Sequence, residues 1–242
     1  GLCLALSLAG TALLAGCDTV GYYYQSVAGH LSLMAQRESI DKAIEDARAA
    51  HNDKLARRLE DARSIRIYAS RELALPDNGS YRVYANLKRP FAVWNVFAAP
   101  ELSVKLKEWC FLIVGCVTYR GYYDRSAALA YADTLRAEGL DVDVAGIPAY
   151  STLGYFDDPL LNTFVGLPEG ELARLIFHEL AHQVAYAKGD TAFNESFATT
   201  VETIGVERWL ADAATPEIRA EYAVYDARRV QFRALLLAYR SR

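Results

Sequence analysis

Two of the chain's four histidines, His178 and His182, stand four positions apart in the segment Leu172–Val184, whose flanks are apolar. On a helix, positions i and i+4 lie one turn apart on one face, so both imidazoles can aim at one point. Zinc accepts such nitrogen donors. Glu179, beside His178, can reach a water at the same point. This is the HExxH arrangement, in which the glutamate serves as general base. An apolar setting suits that chemistry, because excluding water strengthens a cation's pull on the oxygen it polarises. The plainer alternative is a pair of core histidines on an apolar helix.

A catalytic zinc takes three protein ligands and keeps one position open. No histidine follows His182, so the third ligand must be an acid or a distant residue. Glu195 stands in Phe193-Asn194-Glu195-Ser196-Phe197-Ala198, beyond a turn at Gly189-Asp190-Thr191 that lets a second helix fold back antiparallel. Here the sequence resembles the gluzincins, zinc peptidases in which HExxH is completed by a glutamate on a second helix, often in an Asn-Glu context. Glu202 competes for the same role. It lies seven residues beyond Glu195, nearly on the same helical face. The Asn194-Glu195 context favours Glu195. Glu202 is then left to orient a histidine N–H, as outer carboxylates do, or to hold a substrate amine. Thr199 and Asn194 are further candidates for that supporting role. Hydrolysis also needs an electrophile for the developing oxyanion. The resemblance implies a downstream histidine, which this chain lacks, or a tyrosine. Tyr222 and Tyr225 are the preferred candidates, with Tyr239, Tyr150 and Tyr155 open alternatives among 16 tyrosines.

Composition narrows the rest. Over 242 residues, 52% are hydrophobic, which excludes an intrinsically disordered chain. The net charge of −4 argues against a nucleic-acid partner. The first sixteen residues are uncharged and end in Leu14-Ala15-Gly16-Cys17. That pattern reads as a signal-peptide remnant with a cleavage site, and it resembles a bacterial lipobox in which Cys17 is lipidated. Acyl chains would anchor the protein to a membrane without spanning it, facing the periplasm. Asp18 resembles an inner-membrane retention signal. The last helical segment, from 217, stops without a Gly or Pro signal, so a truncated C-terminus is expected. Cys110 and Cys116 would form a disulfide in an oxidising compartment, provided a bend brings them together. The alternative is two buried thiols on one strand.

The elements read as α+β. Residues 26–50 and 53–72 carry helical apolar spacing and are expected to pair, within an N-terminal helical layer over about 22–75. Their Arg and Glu residues read as a solvated face. Pro76-Asp77-Asn78-Gly79-Ser80 is a turn. Strands are expected at Tyr81–Leu87, Phe91–Phe97, Phe111–Tyr119 and Leu140–Ile147, with a helix over 125–138. From Pro168 onward the chain reads as helices, broken at Gly189-Asp190 and near Thr215-Pro216. Residues 17–242 are taken as one domain.

Taken over most of 14–242, the chain resembles a family of bacterial lipoprotein aminopeptidases. The likeness rests on the lipobox, LPDNGSY, WNVFAAPE, YRGYY, AYSTLGYFDDP and FHELAHQ with GDTAFNESFAT. It implies a zincin-like fold, in which a mixed sheet precedes the HExxH helix and the antiparallel ligand helix. In such folds an edge strand before that helix binds extended peptide through its backbone. This nominates Tyr150, Ser151, Thr152, Leu153 and Gly154, with Asp157 or Asp158 for a substrate's free amine. The Asp pair also fits a simple turn before Pro159. The resulting expectation is a zinc aminopeptidase acting on peptides. The rival readings are a zinc endopeptidase and a non-catalytic envelope lipoprotein with a structural or vestigial zinc.

Overall fold

The computed structural model describes residues 20–111, 115–149 and 151–240. The protein is α+β. The described residues up to Arg37, with Leu87–Ala149, form one compact unit; Glu38–Asn86, with the described residues from Ser151, form another. The signal remnant, Cys17 and Tyr150 lie outside the described residues.

The first unit opens with helix α1, over 20–34. Its sheet has the order β6-β3-β7, built from β3 (Val93–Pro100), β6 (Arg120–Tyr122) and β7 (Leu140–Ile147). Both neighbours run antiparallel to β3, with Trp94 opposite Tyr122 on one side and Gly146 on the other. As the central strand, β3 is buried along most of its length, so VWNVFAAP is apolar at every position but Asn95 rather than alternating. Helix α4 (Arg125–Ala137) lays Ala128, Ala132 and Leu135 on Trp94, Val96, Ala98, Trp109 and Tyr122. The spacing of four and three residues keeps those three on one face. Asp124 caps α4 by accepting a 2.8 Å bond from the Ala127 N–H, and Gly139 ends it at φ +84°.

The expected single strand over Phe111–Tyr119 is instead a hairpin followed by β6. Strands β4 (Trp109–Phe111) and β5 (Gly115–Val117) pair antiparallel with Cys110 opposite Cys116. Gly115, which opens β5, has φ +81°, a conformation that residues with a side chain resist. The two cysteines are joined by a disulfide. The same-strand alternative is therefore excluded, because a hairpin supplies the bend.

The second unit begins within β1 (Arg37–Ser39), at Glu38, and continues with α2 (Ile40–Ala49) and α3 (Asp53–Arg71). The helix expected over 26–50 is interrupted here. The Ser39 side chain accepts from the Lys42 N–H and starts α2 afresh, so α1 and α2 are separate helices. Asn52 caps α3 in the same way. The helices pair as expected, burying Ile40, Ala43 and Ile44 with Leu59, Ala62 and Ile65. Strand β2 (Val83–Ala85) pairs parallel with β8 (Leu160–Leu161), in a sheet ordered β1-β2-β8.

Arg66 of α3 departs from the expected solvated face, being 1% exposed. Its guanidinium donates to the carbonyls of Ser80 (2.7 Å), Pro76 (2.7 Å) and Asn78 (3.1 Å). The turn Pro76–Ser80 is thus wrapped around a buried cation whose donors satisfy carbonyls that would otherwise be stranded. Burial lowers the Arg66 pKa to about 10, which leaves it charged at neutral pH.

Helices α5 (Glu169–Ala181), α6 (Thr191–Asp212) and α7 (Pro216–Arg240) follow; α6 and α7 start where the sequence placed them, but α5 ends at Ala181, well before the expected break at Gly189-Asp190, and turns and coil fill 182–190. Leu172, Ala173, Ile176, Phe177, Leu180 and Ala181 of α5 are all fully buried. Helix α6 packs along α5. At Gly205 the approach is so close that a Cβ would lie 3.1 Å from the Phe177 ring. Among the described residues no helix is long and apolar enough to cross a membrane.

Candidate metal centre

His178 and His182 lie on the last turn of α5 and just past it. Their Nε2 atoms face each other at 3.2 Å. The Glu195 carboxylate, from the second turn of α6, stands 3.4 Å from His178 Nε2 and 3.8 Å from His182 Nε2. One donor atom from each of the three residues falls within 4.8 Å of the others. Donors held tetrahedrally at about 2.0–2.1 Å from one ion stand about 3.3 Å apart, so this donor set fits a shared divalent cation.

The presentation of Glu195 has a local cause. The Asp190 side chain caps α6 by accepting from the Phe193 N–H at 2.9 Å. Asn194, buried, then clasps the preceding loop. Its Oδ1 accepts from the Ala187 N–H (2.7 Å), and its Nδ2 donates to the Ala187 carbonyl (2.9 Å). The Asn-Glu pair divides the work: Asn194 fixes the loop and Glu195 is offered to the histidines.

Glu202 is buried at 2% exposure and takes the opposite edge of the His178 ring, its Oε2 lying 2.8 Å from Nδ1. Its other oxygen accepts from Arg174. The arrangement leaves Nε2 of His178 facing Glu195 and His182. Nδ1 of His182 is buried without a hydrogen-bond partner.

The electrostatics are dominated by acids around two imidazoles. Burial pulls the His178 pKa down, but the Glu195 and Glu202 carboxylates outweigh it and raise it to about 10. Burial, then the His178 charge, lowers that of His182. The hydrogen bond to His178 holds Glu195 below the ordinary carboxylate value against its partial burial. The protein packed around Glu179 lifts its carboxyl to about 7, against the attraction of His178, with Glu195 and Asp158 adding to the rise. A cluster this rich in acids attracts a cation.

The loop before α5 corrects an expectation. Residues 151–159 form turns rather than an edge strand. Asp158 Oδ2 accepts from the Thr152 N–H (2.8 Å) and hydroxyl (3.0 Å), closing the segment on itself. Ser151 accepts from the Leu153 N–H at 3.1 Å. Leu153 and Gly154 both have positive φ, 58° and 82°. Burial, opposed by the Thr152 bonds, raises the Asp158 pKa to about 6, and its Oδ1 is buried without a partner. A Cβ on Gly79 would lie 2.4 Å from the Asp157 carboxylate. Gln183, next to His182, accepts from Asn78 Nδ2 (2.7 Å) and donates to the Ser80 hydroxyl (3.2 Å). The Pro76–Ser80 turn thereby braces the residue after the second histidine.

The remaining candidates lie apart from this cluster. Tyr222 packs on Gly170, at the opposite end of α5 from the histidines, and lies under Arg229. Tyr225 lies under Arg228. Thr199 is exposed, its carbonyl accepting from the Thr203 hydroxyl. A tyrosine that was not among the candidates, Tyr186, lies with its ring centroid 6.4 Å from that of His182. Tyr186 lies in the coil after α5, so helical spacing provided no signal for it. Arg174 also lay in view as the only charge within Leu172–Phe177.

The end of α5 thus presents His178, Glu179 and His182, and the next helix delivers the Glu195 carboxylate to both imidazoles. The chain matches the protein-family model described as "Putative aminopeptidase" over residues 21–242, and it belongs to that family. No curated protein and no solved structure matches it.

Proposed function

We propose that this protein is a zinc-dependent peptidase of the aminopeptidase kind, held at the bacterial envelope by a lipid on Cys17 and facing the periplasm. The convergence of His178, His182 and Glu195 beside Glu179 carries the catalytic part of this reading. The lipobox-like Leu14–Cys17 supports the anchor. The zincin-like relation of α5 to α6 belongs to the same proposal.

His178, His182 and Glu195 would hold one Zn2+. When bound, zinc supplies Lewis acidity toward water and the scissile carbonyl. Glu179 takes a proton from the attacking water and returns it to the leaving amine. Glu202 accepts the Nδ1–H of His178 and keeps its Nε2 aimed at the centre. Tyr186, whose ring lies 6.4 Å from that of His182, becomes the candidate for the oxyanion partner in place of Tyr222 and Tyr225. The donor cluster comprises three residues among those described, which suits an open site more than a closed structural one.

Zinc content and amino-acid release from a peptide library test the reading together. Zinc at one per chain with cleavage, lost in Glu179→Gln while zinc is retained, is the expected result. Zinc retention with no cleavage by the unaltered protein would favour a non-catalytic lipoprotein.

A further inference from the structure

Arg174 stands one helical turn before His178 on α5, and its guanidinium holds Oε1 of Glu202 while Oε2 meets His178 Nδ1. The Glu202 side chain is 3% exposed, so no solvent layer would replace a lost partner. A carboxylate with one free oxygen can still turn about its terminal bond; with that oxygen gripped by a guanidinium, the other is fixed in place. Arg174 is itself flanked by Glu171, 4.0 Å away, which Arg229 of α7 holds at 2.5 Å.

We propose that Arg174 is a positioning residue that sets the angle at which His178 presents Nε2, by clamping Glu202, and so controls how tightly the centre holds a divalent cation. This rests on the metal reading above. The opposing effect has the opposite sign: a guanidinium near the site repels a cation, so if charge alone mattered, removing it would tighten binding.

The test titrates metal-free protein with Zn2+ against a chelating indicator and records the absorption spectrum of the Co2+-loaded form, which reports ligand geometry. Arg174→Met is expected to bind Zn2+ about tenfold or more weakly, within the range known for outer-shell partners, and to alter the Co2+ spectrum. Arg174→Lys, which keeps the charge without the fork, should recover only part of both. Should Arg174→Met fail to fold, Arg174→Lys and Arg174→Gln carry the same two readouts. Unchanged or tighter Zn2+ binding with an unaltered Co2+ spectrum, in a folded variant, overturns the proposal. If the unaltered protein binds neither ion, the metal centre itself fails, and that result is distinct from an indifferent Arg174 variant.

Discussion

The two units bury polarity for different ends. In the first, the core around Trp94, Val96 and Leu135 is aromatic and aliphatic, and a disulfide joins its hairpin. In the second, Arg66, Asp158, His182, Asn194 and Glu202 are all buried within the fold. Each buried charge costs desolvation that only good partners offset. Arg66 holds the turn that braces Gln183, Asp158 closes the loop before α5, Asn194 pins the loop before α6, and Glu202 grips His178. The first unit reads as built for stability; the second carries buried polar groups that organise one site.

Four measurements sharpen or break that contrast, the largest effect first. Glu179→Gln should lower kcat/KM on peptide substrates by about 10²–10⁴-fold while leaving the melting temperature nearly unchanged. Equal loss of activity and stability would make Glu179 structural. Leu135→Ala in the first unit should do the reverse, costing about 2–5 kcal/mol in chemical denaturation with no specific loss of zinc affinity in the protein that remains folded. The third concerns pH. Asp158 has a folded pKa of about 6 against 3.8 ordinarily, so the folded state keeps that proton longer than the unfolded chain does. Stability from this group is therefore fully present below pH 4 and falls as pH rises through about 6, by about 3 kcal/mol. Melting curves of the unaltered protein and D158N across pH 4–7 should diverge in that direction; parallel curves would remove Asp158 as the cause. Replacing Cys110 and Cys116 together with serine is expected to cost about 2 kcal/mol, the entropy of a short loop, and to leave zinc affinity alone.

What was legible in the sequence was local. The i, i+4 spacing of His178 and His182 is a property of one helical turn, and Pro168, Asp190 and Thr215-Pro216 mark helix starts through backbone chemistry that needs no tertiary context, whereas the end of α5 at Ala181 carries no Gly or Pro signal. The Asn194-Glu195 pair was visible as a motif, although the clasp that gives Asn194 its use depends on the loop folding back. The misses were non-local. Phe111–Tyr119 looked like one strand because β-propensity does not show the reversal between β4 and β5. Arg66 looked solvated because helical periodicity cannot reveal that a turn ten to fourteen residues later will bring its carbonyls. Glu195 and Glu202 competed for one role, and the structure gives them the two edges of the same imidazole.

That last arrangement makes α6 a ruler. Glu195 and Glu202 are seven residues apart, two turns and about 10.5 Å along the axis, and both reach His178. One residue inserted or deleted between them would rotate the second carboxylate by about 100° and release one edge of the ring. The segment 196–201 should therefore accept many changes of identity but none of length. In a library of variants, its record would be written in substitutions, with indels missing.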